Sequence, residues 1–147
     1  MLIAGRRGLQ ISDYVSEAQD DVIALWQRCG LLRPWNDAVR DIARKQTDLN
    51  GRFLLGYDTS KLVATIMVGY DGHRGSVNYL AVDPDHTGRG YGKTLMSHAE
   101  QFLVSVGCPK INLCVRHDND AAKGFYQELG YSEETVTFFG KRLIDDV

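Results

Sequence analysis

The segment whose residue types and spacing could most clearly do chemistry is Val82-Asp83-Pro84-Asp85-His86-Thr87-Gly88-Arg89-Gly90-Tyr91-Gly92-Lys93. It places a strand, a glycine-rich loop and a helix start in succession. The first N–H groups of a helix have no intrahelical partner, and the helix dipole adds partial positive charge there. Such an end binds phosphate. Gly88, Gly90 and Gly92 remove side chains that would block close approach. Three alternating glycines also weaken a helix start, a cost that a plain turn does not require. Two common phosphate motifs fit poorly. A P-loop needs G-x-x-x-x-G-K-[ST]; Gly92-Lys93-Thr94 supplies its end, but Thr87 stands at the first glycine position. A dinucleotide fingerprint needs G-x-G-x-x-G, whereas the spacing here is G-x-G-x-G.

A second segment, Asn119-Asp120-Ala121-Ala122-Lys123-Gly124-Phe125-Tyr126-Gln127-Glu128-Leu129-Gly130-Tyr131, sets Asn119 and Tyr126 seven residues apart. That is about two helical turns, so the two share a face. Taken singly, Asn119 reads as a helix cap and Tyr126 as a core aromatic. Asp71, His73 and Asn78 lie on or before the strand that leads to the loop. His73 has the intrinsic pKa of a general base; Asn78 could only hold a water. His86, His98 and His117 show no ligand spacing, and His117-Asp118-Asn119-Asp120 reads as a solvated loop capping a helix. No metal is expected.

Together the two segments resemble the GNAT family of N-acetyltransferases. The family's loop pattern, R/Q-x-x-G-x-G/A after a sheet strand, is filled by Thr87-Gly88-Arg89-Gly90-Tyr91-Gly92, with Thr87 in place of the usual Arg or Gln and Arg89 as a substitute donor. The family's N-x-x-A-x-x-F-Y-x-x-x-G-F/Y segment is matched from Asn119 to Tyr131. Leu31 to Asn36 and Gly69 to Gly75 are similar to the YpeA-type bacterial branch. The resemblance implies acetyl-coenzyme A as co-substrate, contacted by Leu80, Ala81, Val82, Thr87, Gly88, Arg89, Gly90, Tyr91, Gly92, Lys93, Asn119 and Tyr126. It also implies an amine acceptor: a small molecule, a protein N-terminus or a lysine.

An amine must lose its proton before it attacks a thioester, and its pKa is about 10.4 for a lysine and about 7.7–8.0 for an α-amine. The site then needs a base or water path, a donor for the carbonyl oxygen and an acid for the leaving thiolate. On the family pattern the N–H of Leu80 or Val82 polarises the carbonyl and Tyr126 protonates the thiolate. His73 or Asp71 is the candidate base. Direct transfer in a ternary complex is favoured over a Cys114 acyl intermediate, because no His or Asp adjoins that thiol in sequence. Two other readings stand beside this one: an aminoglycoside- or metabolite-modifying acetyltransferase, and a non-catalytic acyl-coenzyme A binding or interaction module.

The elements that must position these residues follow from periodicity and punctuation. Strands are expected over Leu9–Val15, Arg52–Tyr57, Lys61–Tyr70, Ser76–Val82 and Lys110–Val115, with Tyr131–Lys141 as last strand material. Helices are expected over Glu17–Cys29, Ala38–Asp48 (capped by Asn36 or Asp37), Arg89–Val106 and Asn119–Leu129. The order β-α-α-β-β-β-α-β-α-β makes an α/β (α+β) protein. By the same resemblance its central sheet is mixed, mostly antiparallel, with six to seven strands and helices on both faces, in a single domain over 1–147.

Bulk properties agree with this reading. The chain has 147 residues, 44% hydrophobic and 24% charged, the balance of one globular core. A formal net charge of −2 argues against a nucleic-acid partner. No apolar run approaches the roughly 20 residues of a membrane span, and no apolar region follows Arg6 and Arg7 as in a secretory signal. Cys29, Cys108 and Cys114 share no metal-type spacing and read as reduced thiols of a cytoplasmic protein. The expected assembly is a monomer or homodimer.

Overall fold

The computed structural model describes residues 8–147. They fall into two compact units, the chain up to Asn112 together with Asp146–Val147, and Leu113–Asp145.

The larger unit is built on a five-stranded sheet in the order β1-β2-β3-β4-β5. Its strands are β1 (Gln10–Asp13), β2 (Arg52–Asp58), β3 (Lys61–Tyr70), β4 (Gly75–Val82) and β5 (Ile111–Asn112). The first three pairs are antiparallel and β4–β5 is parallel. Three helices accompany it: α1 (Gln19–Arg28), α2 (Ala38–Gln46) and α3 (Tyr91–Ser105).

Packing follows from residue pattern. α1 buries Val22, Leu25 and Trp26, a three-and-four spacing that makes one apolar stripe. These join Ile42 of α2 and Phe53, Leu55, Met67 and Ala81 of the sheet in one cluster. Alternate residues Leu54, Ile66 and Val68 point the other way and are also buried. β3 is buried continuously from Leu62 to Val68, as a strand covered on both faces must be. α3, with Leu95, Met96, Ala99 and Leu103 buried, packs against β2, β3 and β4. Ile42 is the buried residue of α2, so this helix depends more on its ends. Asp37 caps its start by accepting from the Arg40 N–H. Arg44 clasps Asp146 at 2.7 and 2.9 Å.

The smaller unit holds one helix, α4 (Asp120–Glu128), followed by chain with neither helix nor strand.

Several expectations need correction. The sheet has five strands among the described residues, not six to seven, and is mixed, its three antiparallel pairs joined by one parallel pair. β5 pairs over two residues, not the six of Lys110–Val115. Tyr131–Lys141 forms no strand; its Val136, Phe138 and Phe139 are exposed. The physical reason is that strands are stabilised by a facing ladder, and a two-residue strand offers almost none. α3 begins at Tyr91 rather than Arg89, because Gly90 takes a left-handed backbone (φ 78°) that a helix cannot contain. α2 ends at Gln46, two residues early. Met1–Arg7, which includes Arg6 and Arg7, lies outside the described residues.

Candidate active site

β4 carries a bulge in its middle. Thr65 faces Ala81 and Met67 faces Asn78, so β3 advances two residues while β4 advances three. The residue that absorbs the excess is Tyr79, whose φ is +50°. A non-glycine residue held there costs about 1–3 kcal/mol and persists only where its surroundings impose it.

The bulge sorts the backbone donors of β4. Asp83 donates its N–H to the Val63 carbonyl of β3 at 2.7 Å. N–H groups alternate sides along a strand, so the Val82 N–H points to the opposite edge. The Tyr79 carbonyl accepts from Thr65 Oγ1 of β3 at 2.8 Å, so the Leu80 N–H, anti to it across a trans peptide, also points away from β3. The β4–β5 ladder covers only Gly75 and Ser76. Beyond Ser76 no strand pairs with that edge among the described residues, and two donors, two residues apart, are directed toward it. Ala81, between them, is buried. The Val82 carbonyl accepts from Cys29 Sγ at 3.3 Å; burial, and the nearby Asp83 charge, push that thiol's pKa up.

Asp83 anchors the turn that follows. Its side chain is 1% exposed. Oδ1 accepts from the Asp85 N–H at 2.9 Å, and Oδ2 accepts from Arg28 Nη2 at 2.7 Å. Burial works against ionisation here, but the Asp85 N–H and the Arg28 guanidinium outweigh it, and the carboxyl sits below its ordinary range. Pro84–His86 then makes one tight turn, closed by the Thr87 hydroxyl on the Pro84 carbonyl.

Gly88 and Gly90 are both left-handed, with φ 77° and 78°. A Cβ at either would meet no protein atom within 4 Å. Glycine is therefore demanded by backbone conformation, and the space above the loop is open to a ligand. α3 starts immediately after, its first-turn N–H groups lying on Tyr91, Gly92 and Lys93. The side chains of Arg89 and Tyr91 turn elsewhere: Arg89 Nη1 (3.0 Å) and the Tyr91 phenol (2.6 Å) both donate to Asp58 Oδ2 at the end of β2. The Tyr91 hydrogen bond, with Arg89 behind it, holds Asp58 below the usual carboxylate range. These two residues tie the loop to β2, and the expectation that Arg89 stands in for a side-chain donor at Thr87 meets a guanidinium already engaged by Asp58.

At the β3–β4 turn, Asp71 Oδ1 accepts from the N–H groups of Arg74 and His73, each at 2.7 Å, and both lower its pKa. Asp71 thus builds the turn. His73 is exposed beside it.

In the smaller unit, Asn119 caps α4 through Oδ1, which accepts from the Ala122 N–H at 3.0 Å. That leaves the NH₂ end of the carboxamide as the donor available to a ligand. Tyr126, on the same helical face, packs edge-on between Phe125 (5.0 Å) and Tyr131 (5.7 Å). Burial raises its pKa, so at neutral pH the phenol is a proton donor.

Sequence reasoning missed Asp58, Asp83 and Thr65. Asp83 precedes a proline and an Asp85 N–H, which is a legible capping signal. Nothing in the spacing links residue 58 to residues 89 and 91, or residue 65 to residue 79. Among the described residues no group of three or more His, Cys, Asp or Glu side chains could hold a metal, and no helix is long and apolar enough to cross a membrane.

A bulged strand with unpaired N–H groups, running through left-handed glycines into a helix start, defines an α/β protein equipped to hold a carbonyl oxygen and an anion. The chain belongs to the acetyltransferase (GNAT) family, whose model matches residues 13–131, and it is an acyltransferase. It is similar to an acetyltransferase of Yersinia pestis strain Pestoides F, 45% identical over 138 residues that cover 94% of this chain and 98% of the relative. In fold it is similar to the PaiA N-acetyltransferase from Thermoplasma acidophilum in complex with coenzyme A (TM-score 0.76, 21% identity, 88% and 93% of the two chains). A second fold neighbour is an aminoglycoside 6'-N-acetyltransferase from Acinetobacter haemolyticus (TM-score 0.75, 18% identity, 92% and 99% covered).

Proposed function

We propose that this chain moves an acetyl group from acetyl-coenzyme A to an amine by direct attack in a ternary complex, acting as one acetyltransferase domain. The observation that carries the reading is the edge of β4, where the N–H groups of Leu80 and Val82 are directed away from β3 and no strand among the described residues takes them. Strand N–H groups without a ladder partner are suited to an oxygen that becomes anionic in the transition state.

The pyrophosphate of the cofactor binds the loop Thr87–Lys93 through main-chain N–H groups at the start of α3. Asn119 donates its NH₂ to the pantetheine arm. The amine nitrogen attacks the thioester carbon, the carbonyl oxygen takes negative charge against Leu80 or Val82 N–H, and the C–S bond breaks on collapse. Tyr126 protonates the departing thiolate. The amine's proton passes to His73, to Asp71 or to a water path; Asp71, whose Oδ1 already holds two N–H groups and whose pKa is lowered, is the weaker base of the two.

The acceptor is a peptide α-amine, a lysine or a small amine. A panel of these, with aminoglycosides included, monitored for amine-dependent release of coenzyme A, tests the reading. Release with at least one amine is expected. Tight acetyl-coenzyme A binding with no release across the panel would leave a binding module in its place.

A further inference from the structure

We infer that a hydrogen-bonded chain, Trp26–Thr65–Tyr79–Asp41, positions the peptide that presents the Leu80 N–H to the thioester, with Thr65 as its central positioning residue. This rests on the acetyl-transfer reading above, in which the bulged strand polarises the acetyl carbonyl.

Trp26 Nε1 lies 2.9 Å from Thr65 Oγ1, and Thr65 Oγ1 lies 2.8 Å from the Tyr79 carbonyl. An indole N–H can only donate. The Thr65 hydroxyl therefore accepts from Trp26, and its single proton is committed to the Tyr79 oxygen. Trp26 and Thr65 are both 0% exposed, so no water competes for either bond. Because the 79–80 peptide is trans, fixing the Tyr79 carbonyl fixes the Leu80 N–H in the opposite direction.

The same tyrosine is held at two further points. Its ring stacks on Trp26 with centroids 3.8 Å apart and planes 13° apart. Its phenol donates to Asp41 Oδ2 of α2 at 2.6 Å. Carbonyl, ring and hydroxyl are thus secured by β3, α1 and α2 around one left-handed residue. A plain β3–β4 ladder would need none of this: apolar side chains at both 26 and 65 would fill the space with no polar atom to satisfy. Three polar groups hold this one residue, the two that govern its carbonyl being fully buried, and they mark its peptide as the one whose direction matters.

The test uses acetyl-coenzyme A carrying ¹³C in the acetyl carbonyl, and reads the carbonyl stretch of the bound molecule by difference infrared spectroscopy. No acceptor is required. In the wild-type protein the stretch should move to lower frequency than in free acetyl-coenzyme A. Thr65→Val, which keeps shape and removes both hydrogen bonds, should lose most of that downshift while coenzyme A itself, which has no carbonyl there, binds as before. Thr65→Ser should restore it. With an accepted amine, kcat for Thr65→Val should fall by roughly 10²-fold, the cost of one misplaced oxyanion donor, with KM for acetyl-coenzyme A near wild type. Absence of any downshift in the wild type would sink the acetyl-transfer reading itself. A wild-type downshift that Thr65→Val retains in full would overturn the positioning role alone. Should Thr65→Val fail to fold, Tyr79→Phe decides: it keeps the stacked ring and cuts the Asp41 bond, and the inference requires a reduced downshift, an unchanged one overturning it.

Discussion

Burial acts on two of the side chains described above and prevails in only one of them. Tyr126 is pushed toward its neutral form by desolvation, which suits a group that gives up its proton only as the thiolate departs. Such a donor contributes in the transition state and little in the ground state. Tyr126→Phe keeps the ring and its packing against Phe125 and Tyr131 and removes only the hydroxyl. Acetyl-coenzyme A affinity by calorimetry should barely change, while turnover should fall by about 10²–10⁴, the range for a general acid. Coenzyme A is a fair leaving group, which places the effect toward the low end. Equal losses of binding and turnover would make the hydroxyl an anchor instead. Asp83 goes the other way. It is buried as an anion because Arg28 and the Asp85 N–H satisfy it; Lys61 Nζ at 4.0 Å and His86 Nδ1 at 3.8 Å also face it. Its folded pKa lies below the unfolded value of about 3.9. The stability it contributes is therefore complete above that value and is lost as pH falls through the lower folded pKa. Asp83→Asn should lower Tm at pH 7 and flatten the fall of Tm between pH 5 and pH 3 (on the order of the carboxylate range). Parallel curves for the two proteins would show that this carboxylate does not couple folding to pH.

At the scale of elements, the helix starts divide structural from ligand-binding work. Asp37 and Asn119 both cap through a side-chain oxygen, but only Asn119 has a donor at its other end. Aspartate at 119 would cap as well, since either oxygen accepts from the Ala122 N–H, yet it could not donate to a pantetheine carbonyl. Asn119→Asp should therefore leave the unfolding midpoint within error of wild type and weaken coenzyme A binding. Asn119→Ala should weaken coenzyme A binding and also lower the unfolding midpoint, with about 1 kcal/mol of stability lost with the cap. If Asn119→Asp binds coenzyme A like wild type, the residue is a cap and nothing more. α3 is the contrasting case. Gly90, which cannot cap by side chain, stands at its N-terminus in a left-handed conformation. A helix start that forgoes a capping side chain keeps its N–H groups for something outside the chain, and that is where the cofactor's phosphates are proposed to lie.

For the whole molecule, the legible part of the sequence was the part written in local patterns. α1 could be read from Val22, Leu25 and Trp26, β3 from its continuous apolar run, and the loop from Gly88 and Gly90, because each signal is complete within a few residues. The bulge was not legible: it sits where Thr65, Trp26 and Asp41, distant in sequence, converge on Tyr79. Tyr131–Lys141 misled for the converse reason. It holds strand-forming residue types in Tyr131, Val136, Phe138 and Phe139, but a strand also needs a facing ladder, and residue type says nothing about whether one forms. The loop itself is legible yet ambiguous in ligand, since its glycines and helix start would suit several phosphates, and this ambiguity yields a test on the intact protein. A ligand of the native state stabilises it by mass action, by about 2.7 kcal/mol at a hundredfold excess over Kd. For a chain of this size that corresponds to roughly 5–11 °C in Tm. Acetyl-coenzyme A should produce a shift of that order, and ATP and NAD, lacking the pantetheine arm, should not match it. Gly90→Glu should lower the Tm of the ligand-free protein, because a side chain is strained at φ 78°, and should abolish the shift, because a carboxylate then stands where the pyrophosphate approaches. A larger shift with ATP would return the loop to the nucleotide-binding reading that Thr87 argued against. An undiminished acetyl-coenzyme A shift in Gly90→Glu would move the phosphates away from α3 altogether.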